Sequence, residues 1–425
     1  MKRPDRSLVS WLFERQRFGI KPGLERIGEV LNRLGRPQDA FAVVLVTGTN
    51  GKGSTASALA ACLAAAGLRV GLFTSPHLCR VMERFQVCGH ELALSELEDV
   101  LDHIKRVSAG LDPTFFEIVT AACCALFARE RVEIGVFEVG MGGRYDATNV
   151  LDPSLSVVTN VGFDHTEVLG DTLEAIAHDK AGIMRPGVPA LTAATGVALR
   201  VIEDRATVQD VPLVVLGKEA SYRAELLGWK GQSVTTYGEY GDITAVSPLV
   251  GGHQSRNLAL AMLSAQSLGI ASEAVEIGIR EHRWPARLER VPYRDRWVVL
   301  DGAHNPSAAA ALVAAWGVLE EHPPTLVLGL AKDKDILGVL DAFSSFMPRV
   351  IATRAKTSPR SLEPALIATY LETVHVEEDP REALEVAIRT SERGEHVLVT
   401  GSLFLVAELR AYVLNQRCEE LERWQ

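Results

Sequence analysis

Residues 44–55 read Val44-Leu45-Val46-Thr47-Gly48-Thr49-Asn50-Gly51-Lys52-Gly53-Ser54-Thr55, and this stretch decides the fold. The apolar run from Phe41 to Val46 predicts a buried parallel strand. A glycine-rich turn follows, and Ser54 to Ala66 predicts a helix that Gly67 stops. Strand, glycine turn and helix in that order make a cradle for phosphate groups. The glycines let backbone N–H groups converge where a Cβ would collide. Lys52 brings a positive charge to the terminal phosphates, and a hydroxyl from Ser54 or Thr55 can sit beside a magnesium ion. Gly53 separates the lysine from the hydroxyls, which departs from the strict pattern.

Outward from this loop, apolar strand runs alternate with helical stretches as far as Ala190. Strands are predicted at 43–47, 69–73, 134–139 and 155–160, and helices at 54–66, 95–109, 115–130 and 172–184. Such alternation implies a parallel sheet with helices on both faces. Residues 190–250 change character, and short runs such as 211–216 and 233–237 predict small antiparallel strands. Residues 253–282 return to helix. Beyond Trp284-Pro285 a second alternating block predicts strands near 297–301, 325–330, 349–353, 372–376 and 396–400. Helices are predicted between them at 306–319, 336–344, 362–371 and 380–392, and after the last at 403–415. Five strands in so short a block imply a Rossmann-like domain. The expected fold is therefore α/β, in two parts. Residues 1–285 form a phosphate-loop domain with a parallel sheet and a small antiparallel insertion, and residues 286–425 a Rossmann-like domain.

The bulk composition narrows the function classes. The 425 residues suit two or three domains, and 47% apolar content describes a globular chain. A net charge of −10 argues against a nucleic-acid surface, so an anionic substrate needs a local basic site. No apolar run approaches the ~18–20 residues of a membrane span. The N-terminal residues 1–19 carry positive charge without an apolar core, unlike a signal peptide. The cysteines (Cys62, Cys79, Cys88, Cys123, Cys124 and Cys418) show no CxxC spacing and read as reduced, mostly packed thiols of a cytoplasmic protein.

Several strand ends carry polar residues, where α/β sheets place their ligands. Ser75-Pro76-His77 reads as a turn, or as a hydroxyl that holds a metal. Glu138 ends a very apolar strand and needs a partner or a cation, because a lone buried carboxylate is costly. Gly140, Gly142 and Gly143 then bring backbone close to a ligand. His165 follows the strand 155–160 and reads equally as a structural histidine or a ligand, since magnesium prefers oxygen. Asp171-Thr172-Leu173-Glu174 is a capping box that starts a helix, and Lys180 two turns later reads alone as a solvent-facing lysine. Asp301 and His304 sit in Leu300-Asp301-Gly302-Ala303-His304-Asn305-Pro306, a strand, a turn, an Asn N-cap and a Pro at the first helical position. Arg287, at the domain junction, reads as an interdomain ion pair or as a reach toward nucleotide.

Taken together the motifs resemble the folylpolyglutamate synthases, including those with dihydrofolate synthase activity, in the Mur-ligase-like group of ATP-dependent amide ligases. The matching segments are GLERI (23–27), VTGTNGKGST, TSPHL (74–78), TFFE (114–117), EVGMGGRYDATN (138–149), DHTEVLGDTLEAIAHDKAGI (164–183), HQSRN (253–257), WPARLE (284–289), LDGAHNP, AKDKD (331–335) and TGSLFLV (400–406). They run in family order over nearly the whole chain. Met141 stands where the resembled family usually has Leu, Tyr145 sits in a variable position, and Ala286 replaces the usual Gly before Arg287, and none of these removes a reacting group.

The resemblance implies ligation through an acyl phosphate, with ATP and Mg²⁺ at two sites and room for a monovalent cation. Asn50, Gly51, Lys52, Gly53 and Ser54 would cradle the phosphates, and Asn257, Arg287 and Asp301 would meet the rest of the nucleotide. Ser75, Glu138 and His165 match the metal ligands. Lys180 matches a lysine that the family carbamylates, which turns an amine into an anion for a second magnesium. Gly23, Leu24, Glu25, Thr114, Phe115, Phe116, Glu117, Tyr145, Asp146 and Ala147 match the pterin-substrate loops. Lys52, Lys180, Asp301 and His304 form the implied catalytic set, with Asp301 and His304 orienting nucleotide, amine or both. The implied substrates are a reduced folate or dihydropteroate, L-glutamate and ATP, and the implied state is a monomer with no nucleic-acid or membrane partner. Competing readings are a Mur-type ligase for another carboxylate, a nucleotide-switch ATPase and a non-catalytic folate carrier. The GLERI and TFFE segments favour folate, a switch leaves DGAHNP unused, and a carrier leaves the phosphate loop unused.

Overall fold

The computed structural model describes residues 8–18, 21–346, 349–371, 374–392 and 394–418. The first sheet has eight strands: β1 (Ala42–Thr47), β2 (Val70–Phe73), β3 (Phe85–Val87), β4 (His90–Glu91), β5 (Ile134–Glu138), β6 (Leu155–Val158), β7 (Ala190–Thr192) and β8 (Leu213–Val215). Their spatial order is β4-β3-β2-β5-β1-β6-β7-β8. β1 lies near the middle, parallel to β5 and β6, with Val46 opposite Glu138 and Thr47 opposite Val158. This register brings the carboxyl ends of three strands to one edge, where the loops after them meet.

Strand β1 is apolar on both faces, and its alternation feeds two cores. Val43 and Leu45 join the cluster of Phe73, Phe137 and the helix Phe115–Arg129. Val44 and Val46 join the cluster beneath the helices Lys52–Ala65 and Gly252–Ser267. Helices therefore cover both faces of the sheet, as the alternating sequence predicts.

The 190–250 region corrects one expectation. Residues 211–216 were expected in an antiparallel set, but β8 pairs in parallel with β7 and extends the main sheet. The helix Gly196–Val208, which the sequence reading missed, supplies the crossover that parallel pairing requires. The small antiparallel sheet begins later and holds β9 (Ser221–Leu226), β10 (Gln232–Tyr237) and β11 (Ile243–Ser247), in the order β11-β10-β9. The helical stretch 253–282 divides into Gly252–Ser267 and Ser272–Glu281, with Gly269 at φ +79° between them.

The second α/β unit is built on a six-stranded sheet of β12 (Glu289–Tyr293), β13 (Arg296–Leu300), β14 (Thr325–Leu328), β15 (Val350–Ala352), β16 (Val374–Val376) and β17 (His396–Thr400). Its order is β12-β13-β17-β14-β15-β16. The five predicted strands are parallel, and residues 372 and 373 of the last predicted span but one lie outside the described residues. The sixth strand, β12, forms an antiparallel hairpin with β13. Pro292 masked it in the sequence, and β12 occupies the edge position where proline is tolerated. The two units pack together in part through Trp229, in the turn between β9 and β10, which stacks on His396 and donates its N–H to Glu320.

The cysteine expectation is also corrected in part. Cys79 and Cys418 are joined as a disulfide across 339 residues of sequence. Cys62, Cys123 and Cys124 are free and buried, and Cys88 is free and exposed. The pairing arises because the segment after the last helix returns to the loop after β2, which no local spacing reveals. No helix of the described residues is long and apolar enough to cross a membrane.

Candidate active site

The phosphate loop is shaped by what surrounds its glycines. A Cβ at Gly48 (φ +151°) would lie 1.9 Å from Thr159 Oγ1, and one at Gly51 (φ +80°) would lie 2.3 Å from Asn257 Oδ1. Gly53 opens the helix with Trp284 at 3.0 Å and Glu138 Oε2 at 3.2 Å from the Cβ position. The Ser54 hydroxyl is buried and makes no hydrogen bond among the described residues. A buried hydroxyl left unpaired inside a glycine cradle is the arrangement that a phosphate or its metal would satisfy. Lys52 folds back along the loop and donates to the carbonyls of Gly48 (3.0 Å) and Thr49 (3.2 Å). Burial lowers its pKa, while Glu138 and Asp164 pull it upward.

Glu138 reaches from the end of β5 toward this loop. Its Oε2 accepts the Ser75 backbone N–H at 2.9 Å, so the turn after β2 and the end of β5 are tied. Burial raises the Glu138 pKa, against the pull of Lys52 and the Ser75 N–H. Such a carboxylate gains by holding a cation. His165 sits in left-handed backbone (φ +52°) with an exposed side chain. Partial desolvation, with the Lys334 and Lys52 charges, lowers its pKa to about 4 despite Asp164, so the imidazole is neutral. Among the described residues no three His, Cys, Asp or Glu side chains converge as a ready-made metal cluster.

Lys180 is not solvent-facing. It is 3% exposed, and its Nζ donates to the Gly48 carbonyl at 3.0 Å, the same carbonyl that Lys52 uses. Burial and then the Lys52 charge push its amine down to about 7. The helix Leu173–Lys180 is pressed against the glycine loop after β5, where Gly143 N donates to Asp179 Oδ1 at 2.7 Å.

The second unit closes the other wall. Asp301 accepts the backbone N–H of Leu288 and of Ala303, each at 2.9 Å, and so braces two loops. His304 Nδ1 lies 2.8 Å from the Gly302 carbonyl, and burial lowers its pKa to about 4. Arg287 lies between Ala286 (φ +58°) and Leu288 (φ +48°), a left-handed pair that glycine would hold with less strain. Asn50, Gly51, Ser54, Asn257, Arg287, Asp301 and His304 all line one cavity of about 320 Å³. Asn50 Nδ2 donates to Ser307 Oγ at 2.8 Å, and Asn305 Nδ2 to Asn50 Oδ1 at 3.1 Å, so the phosphate loop and the second unit touch directly.

The three substrate-loop segments also meet, with unequal roles. Gly23 (φ +119°) and Leu24 precede the helix Glu25–Arg33, whose Arg26 pairs with Glu117 at 3.1 Å. Glu117 also forms a reciprocal capping box with Thr114, so its carboxylate is occupied by structure. Phe115 is buried against Phe13, and Phe116 packs on Phe73. Asp146 is spent on the N–H of Met141 and on the N–H and hydroxyl of Thr148, and Ala147 is buried. Tyr145, 52% exposed with the Arg144 guanidinium over its ring, is the aromatic of this set that is open to a ligand.

Residues 46–265 match the Mur ligase middle domain, and residues 286–403 match the Mur ligase glutamate ligase domain. The chain belongs to the Mur ligase family. Within it, the chain is 34% identical over 424 residues to the dihydrofolate synthase/folylpolyglutamate synthase of Bacillus subtilis, covering 94% of this chain and 97% of that one. It is 37% identical over 417 residues to a probable bifunctional folylpolyglutamate synthase/dihydropteroate synthase of Halobacterium salinarum. That alignment covers 95% of this chain but spans only 51% of the relative's length. The solved structure of E. coli FolC in complex with DHPP and ADP superposes with a TM-score of 0.89 at 30% identity, covering 98% of this chain and 99% of that one.

The Mur ligase cavity also holds residues that the sequence reading did not single out. His253, Gln254 and Arg256 line it beside Asn257, from the helix Gly252–Ser267, and Asn160, Gly162 and Ser307 complete its rim. The motif HQSRN contained the signal, since residues 253, 254 and 257 share one helix face at 3–4 residue spacing. Asp164 and Lys334 form a 2.7 Å ion pair at the domain boundary, also unforeseen, because nothing local links positions 170 residues apart.

Proposed function

We propose that this chain is an ATP-dependent ligase that adds L-glutamate to reduced folates, and that it also joins glutamate to 7,8-dihydropteroate. The observation that carries the reading is one cavity lined by both the glycine loop and the Asp301–His304 loop, with Lys180 bonded to the Gly48 carbonyl of that glycine loop and Glu138 against Gly53. Phosphate donor, acceptor carboxylate and attacking amine can meet there. The names of the relatives support folate as the acceptor.

The chemistry follows from the residues. A carboxylate is a poor electrophile until it is phosphorylated. Gly51, Gly53 and Ser54 would hold the ATP phosphates, and Lys52 would swing from the Gly48 and Thr49 carbonyls to the γ-phosphate and stabilise the charge that develops in transfer. Ser75, Glu138 and His165 would hold Mg²⁺, whose chemistry is to neutralise phosphate charge, and carbamylated Lys180 would hold a second ion. Asn257 and Arg287 would position the nucleotide. Asp301 braces the loops that carry Arg287 and His304, so it would act by positioning, and His304 as a neutral imidazole could accept a proton from the glutamate amine. Tyr145 would stack on the pterin or aminobenzoate ring, while Phe115, Phe116 and Glu117 would shape the pocket from behind. The two units packed together would exclude water that would hydrolyse the acyl phosphate. A monomeric cytoplasmic enzyme, drawing on the cell's ATP, belongs to the same proposal.

The test is direct. The pure protein is incubated with MgATP and labelled glutamate, with tetrahydrofolate and dihydropteroate offered separately, and products are resolved by mass. Glutamylated tetrahydrofolate is expected, and dihydrofolate from dihydropteroate. No product from either acceptor would overturn the reading, and none from dihydropteroate alone would remove the second activity.

A further inference from the structure

Asp164 is a junction between the two units. Its Oδ1 accepts the backbone N–H of His165 at 3.0 Å and the Lys334 ammonium at 2.7 Å. Its Oδ2 accepts the Asn305 amide at 3.2 Å. Asp164 and Lys334 side chains are each only 12% exposed, so this ion pair is shielded from solvent and from screening salt. His165 occupies left-handed backbone at φ +52°, directly after the clamped carboxylate, so its backbone conformation is set at the point where Asp164 accepts its N–H.

Both partners from the second unit sit in segments that are themselves held by hydrogen bonds. Asn305 caps the helix Pro306–Leu319 through the Ala308 N–H at 2.9 Å, and it also meets Asn50 of the phosphate loop. Lys334 lies in a turn pinned by Lys332 N to the Arg360 carbonyl at 2.8 Å. The next residue, Asp335, caps the helix Ile336–Ala342. Two helix starts of the second unit thus converge on one carboxylate of the first.

We propose that Lys334 is a positioning residue that clamps Asp164, and through it the His165 backbone, so that docking of the second unit sets the metal-facing loop. The assignment of a metal to His165 rests on the functional reading above; the clamp itself does not. Lys334 acts through Asp164, and its neutral analogue leaves that largely buried carboxylate with only the neutral Asn305 amide and His165 N–H as donors and no opposite charge beside it. The consequence is a metal site that forms fully only when the two units are in contact, which ties phosphate transfer to a closed, water-poor cavity.

The experiment uses the full chain with Lys334→Met, Lys334→Arg, Asp164→Asn and the double variant Lys334→Met/Asp164→Asn. In apo protein, amide hydrogen exchange of residues 163–170 is expected to rise in Lys334→Met while the two cores keep their protection. With a non-hydrolysable ATP analogue, Mn²⁺ affinity read by electron paramagnetic resonance is expected to fall about tenfold, the loss usual for a residue that orients a metal ligand. Turnover is expected to fall with the KM for folate unchanged. Lys334→Arg should restore most of each readout, and the double variant should be no worse than Asp164→Asn. Unchanged exchange at 163–170 in Lys334→Met, or strictly additive effects in the double variant, would overturn the clamp whatever the metal site proves to be. Raised exchange with unaltered Mn²⁺ affinity supports the clamp and overturns the metal role of His165 instead.

Discussion

Carbon dioxide should control the activity of this chain through Lys180. Carbamylation needs the free amine, and burial together with the Lys52 charge places the Lys180 pKa at about 7. At pH 7.5 about three-quarters of such an amine is neutral, against roughly one part in a thousand for a lysine of ordinary pKa near 10.4. Folding therefore raises the reactive fraction several-hundredfold. Below pH 7 that fraction falls about tenfold per pH unit, so reactivation of CO₂-depleted enzyme should slow in proportion. The sign for stability follows as well: between pH 7 and about 10 the unfolded chain holds a proton that the folded unmodified chain does not, so the contribution of Lys180 to stability rises with pH. The assay is turnover after CO₂ stripping and readdition of bicarbonate across pH 6 to 8.5, with ¹³C NMR of the carbamate. Lys180→Ala should lose turnover by orders of magnitude and regain part of it with small carboxylates that replace the missing anion. Full activity in stripped, bicarbonate-free enzyme with no ¹³C carbamate signal would refute the reasoning.

Three further outcomes are expected. Lys52→Ala should abolish ligation, because it removes a charge from the transferring phosphate, while thermal unfolding shows a loss of only a few degrees from the two loop carbonyl contacts; near-normal turnover would reject the phosphate-loop assignment. Glu138→Gln should raise the magnesium concentration needed for half-maximal turnover and leave metal-free pterin binding nearly intact, as measured by fluorescence titration. The substrate-loop aromatics should separate: Tyr145→Ala should raise the KM for folate with little change in stability, whereas Phe115→Ala should cost about 3–5 kcal/mol in denaturant unfolding as a buried core truncation. The reverse pattern would exchange their roles.

Much of this protein is written locally. The strand 42–47, the glycine turn and the helix 52–65 follow from an apolar run, three glycines and an alanine-rich stretch, and each would read the same in isolation. The Asn305 cap with Pro306 likewise fixes a helix start by its own hydrogen bond. The motifs at strand ends named Glu138, Asp301 and His304 as candidates because parallel sheets gather strand ends on one edge. Where the local signal was ambiguous, it failed. Residues 211–216 are a short apolar run that an edge of either sheet could have taken, and only pairing with β7 decided it.

What the tertiary structure alone decided are the properties that depend on distant residues arriving at one place. Sequence motifs marked Lys180 as important, but a lysine on a helix is solvated unless the fold buries it; packing against Gly48, Gly143 and Lys52 removed its water and lowered its pKa. Motif membership treated Phe115, Glu117, Asp146 and Tyr145 alike. The fold spent the first three on a core contact, a capping box with an ion pair, and a loop brace, and left Tyr145 open. The Asp164–Lys334 pair and the Cys79–Cys418 bond join residues 170 and 339 positions apart. Periodicity and capping act over a few residues and so are legible in the chain, whereas burial, charge coupling and cross-domain contact are set by three-dimensional proximity, which no local pattern encodes.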